Sequence, residues 1–218
     1  KKESSNWESL YVHTGDNRQE PLPFDEESDA FVNKTIQIQK KYIISSIKSG
    51  VVLIHQSLAH QRILYEEFLE KNSKSEVHSQ QLLFPLNISF SQTEIEIVYS
   101  LKSELEDLGF YFDEFTKESV TIKGTPFSIP ESKITDVFEE LIEKVNLDVP
   151  DANYNPFDYV IASFSKSLAI KTGAVLSQKE QENLVNRLFS CKEPSISPSG
   201  KSTFKTMTLN EIDQLFAR

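Results

Sequence analysis

Residues 49–69, SGVVLIHQSLAHQRILYEEFL, constrain the fold more than any other stretch of this chain. Val51-Val52-Leu53-Ile54 is an unbroken apolar run dominated by stiff, branched side chains, which predicts a buried strand. The polar segment His55-Gln56-Ser57 follows. Beyond it, Ala59 and Ile63, then Leu64 and Phe68, stand four apart and predict a helix with one inward face. A buried strand running straight into a helix presents its junction side chains at a strand end, where α/β folds commonly place their chemistry.

The junction carries a recognisable frame: His55-Gln56-Ser57-Leu58, then Gln61, then Glu66, with AHQRILYE around the last two. It resembles the MutL family of DNA mismatch-repair proteins, in particular their C-terminal dimerisation domain. Relatives carry Asp-Gln-His-Ala at this place, a Glu after two residues and a second Glu after four more. The resemblance extends over roughly residues 33–218 and rests on several separate motifs.

Composition sets outer limits. With 218 residues, 38% of them hydrophobic, the chain can bury a core as one elaborated domain or two small lobes. A net charge of −10 gives no global field to attract nucleic acid, so duplex binding by this piece alone is expected to be weak or absent. The single cysteine, Cys191, excludes an internal disulfide and a thiolate-rich metal site and suits a reducing compartment; it reads as a partly buried small side chain. No apolar run approaches the roughly 18 residues of a membrane span. A chain opening Lys1-Lys2-Glu3-Ser4-Ser5 reads as a fragment of something longer.

Residues 1–32 have little periodicity and read as a linker tail that lies over a surface at Trp7, Leu10 and Tyr11 or is partly disordered. Residues 35–39 alternate as an amphipathic strand, continued by residues 41–46 and turned at residues 48–50 into the buried strand. Residues 86–90 predict a further strand. Ser91-Gln92-Thr93-Glu94 is a capping box opening a helix that Gly109 stops. Residues 110–115 and 119–123 predict two strands. Ile134, Val137, Phe138, Leu141, Ile142 and Val145 line one face of a helix. Residues 157–172 predict another, stopped by Gly173. Ser177 with Glu180, and Thr208 with Glu211, open the last two helices, with a short strand over residues 203–207 between them. The fold class is α+β. The resemblance implies two lobes: a discontinuous dimerisation lobe (33–78 plus 151–218) and an inserted external, regulatory α+β lobe (79–150).

Many MutL relatives nick DNA with divalent metal at the junction motif, assisted by cysteine and histidine from two later motifs. Such chemistry needs carboxylate, imidazole or thiolate ligands to activate water. Here the leading Asp is His55, the motif His is Ser57 and the first Glu is Gln61; Gln56 and Glu66 are retained. The later Ala-Cys-Arg/Lys motif falls on Ser165-Lys166-Ser167, with an ammonium, Lys166, in place of the thiol. The last motif, Cys-Pro-His-Gly-Arg-Pro-Thr, falls on residues 197–203, with Ser197 and Ser199 in place of its Cys and His. The resemblance thus implies a degenerate site with no catalytic residue, no metal and no cofactor in this fragment. His60 and Glu66, six apart on a helix, face differently and make no substitute metal site. His55 reads as a hydrogen-bonded junction residue, and Gln61 and Arg62 as solvated or covering the neighbouring lobe. The alternative is a metal-dependent DNA-nicking endonuclease with substituted ligands; an autonomous nucleic-acid-binding module lacks a basic aromatic strip.

Two binding features remain. Gln80-Gln81-Leu82-Leu83-Phe84-Pro85 matches the short pattern with which some MutL relatives bind the replication sliding clamp. Gln80 would supply amide hydrogen bonds, Leu83 would fill a pocket and Pro85 would restrain the backbone. The same residues could instead simply enter a strand. For homodimerisation, Ile36, Ile38, Val52 and Ile54 offer strand surface, and Phe164, Leu168, Leu184 and Leu188 offer helical faces. The resemblance implies a domain that tethers two copies of an absent N-terminal, ATP-binding ATPase domain. It implies a bacterial cytoplasmic, nucleoid-associated setting and a MutS-type mismatch-recognition protein as a partner of the whole system.

Overall fold

The computed structural model describes residues 35–73, 78–147 and 155–217, and Asn33–Arg218 forms one compact unit. The tail predicted over residues 1–32 lies outside the described residues. Strands β1 (Ile36–Ile38), β2 (Tyr42–Ile47) and β3 (Gly50–His55) lead into helix α1 (Gln56–Ser73). There follow β4 (Ser79–Ser89), α2 (Gln92–Ser100), α3 (Lys102–Asp107), β5 (Tyr111–Phe115), β6 (Ser119–Pro126) and α4 (Ile134–Leu147). Helices α5 (Pro156–Leu168) and α6 (Gln178–Ser190), strand β7 (Phe204–Thr208) and helix α7 (Leu209–Phe216) complete the chain.

Two antiparallel sheets result, ordered β1-β2-β3-β7 and β4-β6-β5. The first is discontinuous in sequence: β7 returns from the far end of the chain to pair with β3, Val51 opposite Met207 and Leu53 opposite Lys205. Gly50 is required at that approach, because a Cβ there would lie 2.1 Å from the Met207 carbonyl oxygen.

Residues 35–46 are not one strand. Gln39 and Lys40 both have positive φ, 52° and 49°, and the Lys41 amide donates to the Ile38 carbonyl at 3.1 Å, which folds β1 back onto β2. Gln39 and Lys40, two left-handed residues in the three-residue connection between Ile38 and Tyr42, match the right-handed strand twist, at a steric cost for residues with a Cβ. Other boundaries shift too. The helix predicted from Ser91 breaks at Leu101 into α2 and α3. Helix α5 ends at Leu168, four residues before the predicted end, because Ala169 turns extended (ψ 151°). All three predicted capping boxes form.

The apolar residues gather in two clusters. One joins the second sheet to α2, α3 and α4 and takes in Val160, Ile161 and Phe164 of α5 and Phe68 of α1; Phe110 stacks edge-on against Phe138 and Phe164 at 5.3 and 5.8 Å. The other joins Ile43, Val52 and Ile54 of the first sheet to Ala59 and Ile63 of α1 and to Leu184, Val185 and Leu188 of α6. Helix α1 therefore feeds both clusters. Helix α5, assigned from sequence to the same segment as the first sheet, packs into the cluster around the second sheet. Phe164, Leu184 and Leu188 are consumed in these cores and Leu168 is half-buried against one, so the four helical positions offered for dimerisation are not a free face. Val52 and Ile54 are likewise internal.

Candidate functional site

Helix α1 starts at Gln56 directly on the end of β3, and its first turns are tied to three loops that come together there. The His55 amide donates to the Thr203 carbonyl at 2.8 Å and the Gln56 amide to the Lys41 carbonyl at 3.0 Å. The Gln56 side chain is fully buried; its Nε2 faces the Lys40, Lys171 and Ala174 carbonyls at 2.8, 3.1 and 3.4 Å, and its Oε1 accepts from Gln37 Nε2 at 2.7 Å. Gln37 in turn accepts from the Leu176 amide. The Gly173 amide also donates to the Lys40 carbonyl, so the left-handed turn is held by two donors from distant segments. A buried amide satisfied on both ends rigidifies what it joins.

One turn on, Ser57 Oγ donates to the Ile170 carbonyl and His60 Nδ1 accepts from the Ile170 amide at 2.9 Å. Together they clip the peptide groups of the segment after α5. Burial, reinforced by the Arg187 guanidinium, lowers the His60 pKa to about 4, so the ring is a neutral acceptor. His55 points the other way. It lies opposite Tyr42 on the outer face of the sheet, its ring edge-on to the tyrosine at 5.3 Å, and burial together with Lys41 holds its pKa below the ordinary value.

Glu66, the retained acid, accepts the Lys192 and Glu193 amides at 2.6 and 3.0 Å and lies 3.6 Å from Arg62. Arg62 is almost wholly buried, donates to the Ile196 carbonyl and pairs with Glu193, which corrects the expectation of a solvated or covering side chain. Ser197 is buried, shares a 3.0 Å hydrogen bond with Ser199 and accepts the Lys201 amide. Burial, with Glu66 nearby, pushes the Cys191 thiol up to about 11, so it is not a thiolate.

The motif positions thus do converge, but unequally. Gln61, Lys166 and Ser199 line one cleft of about 260 Å³ with Leu58 and Glu140, where Lys166 is ion-paired to Glu140 of α4. Ser57 and Ser197 are turned onto backbone groups, and His55 is on the far face. Among the described residues, no three His, Cys, Asp or Glu side chains stand where they could hold a metal ion. The two retained positions, Gln56 and Glu66, are the two that bind several backbone groups. Sequence reasoning missed Gln37, Arg62 and Glu140; only the apolar surroundings of Arg62 hinted at burial.

The clamp-like hexapeptide lies in β4, an edge strand. Gln81 pairs with Gly124 and Leu86 with Ile122, so residues 82–85 oppose Lys123 alone and loop out of the ladder as a wide irregularity. Leu82 is tucked inward, whereas Leu83 and Phe84 are 87% and 76% exposed, with Gln80 and Pro85 also exposed. On the first sheet, Ile36, Ile44 and Leu53 form one cross-strand row and Val51 and Met207 a second, all on the face away from α1 and α6. Ile36, Ile38, Leu53 and Met207 are exposed there. Among the described residues, no helix is long and apolar enough to cross a membrane.

Residues 35–176 match the family model of the MutL C-terminal dimerisation domain. The chain is 44% identical to the DNA mismatch repair protein MutL of Flavobacterium johnsoniae, over 97% of this chain and 35% of that protein. It is 42% identical to MutL of Flavobacterium psychrophilum, over 97% and 36%, and 44% identical to MutL of Christiangramia forsetii, over 84% and 30%. It therefore spans about a third of the length of these curated relatives. Because that family model covers more than half of the chain, this chain belongs to the MutL C-terminal dimerisation domain family.

Proposed function

We propose that this domain holds two copies of its chain together through the outer face of the β1-β2-β3-β7 sheet. The observation that carries this is the apolar double row of that face, Ile36–Ile44–Leu53 and Val51–Met207, left uncovered by the described helices. An isologous interface would use this same face on both copies about a twofold axis. A stable interface buries roughly 800 Å² per partner, an area on the scale of one sheet face. Joined copies would keep N-terminal ATPase domains at an effective concentration on the order of millimolar. MutS-type proteins would then be partners of the whole assembly, in a bacterial cytoplasm. The test is sedimentation of the fragment across dilution, with and without EDTA. A species of twice the 24.9 kDa chain mass, indifferent to chelation, is expected. A monomer persisting at high micromolar concentration overturns the reading.

We further propose that the domain does not itself cut DNA. Support comes from Lys166 ion-paired to Glu140 in the cleft and from Ser57 and Ser197 committed to backbone groups. Supercoiled plasmid incubated with the fragment and Mn²⁺ should stay intact; nicking that scales with protein would favour the substituted-endonuclease alternative.

One observation favours an additional contact with the replication sliding clamp: the loop-out of residues 82–85 that presents Leu83 and Phe84 to solvent. Two large apolar side chains projecting from an edge strand suit peptide-in-groove recognition. Gln80→Ala/Leu83→Ala should abolish binding to a bacterial sliding clamp in a surface-capture assay while leaving the dimer intact. Undiminished binding by that variant would assign the hexapeptide to the strand alone.

A further inference from the structure

Among the described helices, α7 is the most one-sided, and none of its residues is buried. Leu209, Ile212, Leu215 and Phe216 share one side, and Asn210, Glu211, Asp213 and Gln214 the other. Yet among the described residues nothing in α7 is buried: Leu215 and Phe216 are 66% and 82% exposed, and the helix touches its own chain mainly along β7 and β3. Its start is well defined, by the Thr208–Glu211 capping box and by the Leu209 amide donating to the Ser49 carbonyl at 3.0 Å. An eight-residue helix is too short to be stable from its own hydrogen bonds, so such a helix persists when its apolar side is covered.

We infer that α7 is a docking arm that crosses to the outer sheet face of a second copy of this chain. The inference rests on the proposed dimer and goes beyond it in naming the element that completes the interface. Two observations select a second copy as the occupant. First, the arm is continuous with that face: β7, which leads into α7, carries Met207 in register with Val51 on the outer side. Second, the charges complement each other. No acidic residue occurs from Thr35 to Tyr65 in a chain of net charge −10; the first three strands and their turns carry Lys40, Lys41 and Lys48, and β7 adds Lys205. Helix α7 carries Glu211 and Asp213 and no base. Leu215 and Phe216 of each copy cover apolar rows of the other, and the acidic side of the arm meets the lysine rim, which sets orientation more than affinity.

The test compares the fragment with Leu215→Ser/Phe216→Ser by sedimentation across dilution, and follows hydrogen exchange of the α7 amides above and below the dimer Kd. The variant is expected to fold as before, because the altered side chains are exposed, and to dimerise roughly thirtyfold or more weakly. Protection of α7 in the native fragment should rise and fall with the dimer fraction. A dimer unaffected by the variant, or α7 protection independent of concentration, as a segment of the same chain would give, overturns the arm and leaves the dimer standing. A native fragment that never dimerises removes both.

Discussion

The two faces of the four-stranded sheet are built from the same kind of residue and have different fates. On β3, Val52 and Ile54 point inward and are sealed by α1 and α6, while Val51 and Leu53, one residue away in each case, point outward. An antiparallel sheet with one solvated face normally alternates apolar and polar side chains. Val51-Val52-Leu53-Ile54 does not alternate, and the row continues across Ile44 and Ile36. A strand apolar on both faces is suited to cover on both. The chain supplies one cover among its described residues, and the lesson is that the second is expected from outside the protomer.

Adjacent substitutions on β3 separate the faces most sharply. Ile54→Ala, inside, should cost about 2–5 kcal/mol of folding stability, the sum of lost transfer energy and a cavity between α1 and α6. Leu53→Glu, outside, should leave the protomer folded and abolish the dimer, because it places a charge in the centre of an apolar contact. Urea unfolding and sedimentation of both variants read the two effects independently. Equal loss of folding stability in both would mean that the outer face is part of the protomer's own core.

Gln56 sharpens the comparison from the rim of the sheet, where the inner side turns polar. Gln56→Leu preserves size and removes one of the donors to each of the Lys40, Lys171 and Ala174 carbonyls and the acceptor facing Gln37, while the Gly173 and Ala174 amides and Gln37 still donate to those carbonyls. The expected cost is about 1–2 kcal/mol, the scale of hydrogen bonds lost between groups that each keep another partner. The dimer should weaken only through loosening of β1. A variant as stable as the native chain would mean that water replaces the amide without loss.

Much of this could be read in advance, for identifiable reasons. The strand–helix junction, the capping boxes and the amphipathic α4 are local patterns, and each stands where its spacing put it. The β1–β2 hairpin was not legible, because Gln39 and Lys40 are poor residues for left-handed turns and adopt them under tertiary bonds from Gln56 and Gly173. The helical faces offered for dimerisation failed for a related reason. An apolar stripe says that a helix is covered and not by what, and Phe164, Leu184 and Leu188 are covered from within. At the junction frame, the family resemblance implied substituted ligand positions. That the survivors Gln56 and Glu66 are backbone anchors required the distances.

Two histidines carry the comparison into pH dependence. His55 sits on the outer face, whereas His60 lies on the inner side, its Nδ1 accepting from the Ile170 amide. Burial takes the folded-state pKa of His60 to about 4, below the ordinary value of 6.5. As pH falls, the unfolded chain therefore takes up the proton first. The stability tied to neutral His60 is complete above about pH 6.5 and is lost as pH drops through the interval down to about 4. Between about pH 7.5 and about pH 5 the loss amounts to about 2 kcal/mol, since each unit of separation in effect contributes 1.36 kcal/mol. His60→Gln, which keeps an acceptor for the Ile170 amide and cannot take a proton, should flatten that slope at some cost in stability at neutral pH. Urea midpoints of both proteins at the two pH values, at one fixed protein concentration because dimerisation also adds stability, decide the matter. Equal slopes would remove His60 as the source and shift the acid sensitivity to the paired carboxylates, which is the opposite side of the comparison: a polar inner side that is closed in its bonds but open to protons.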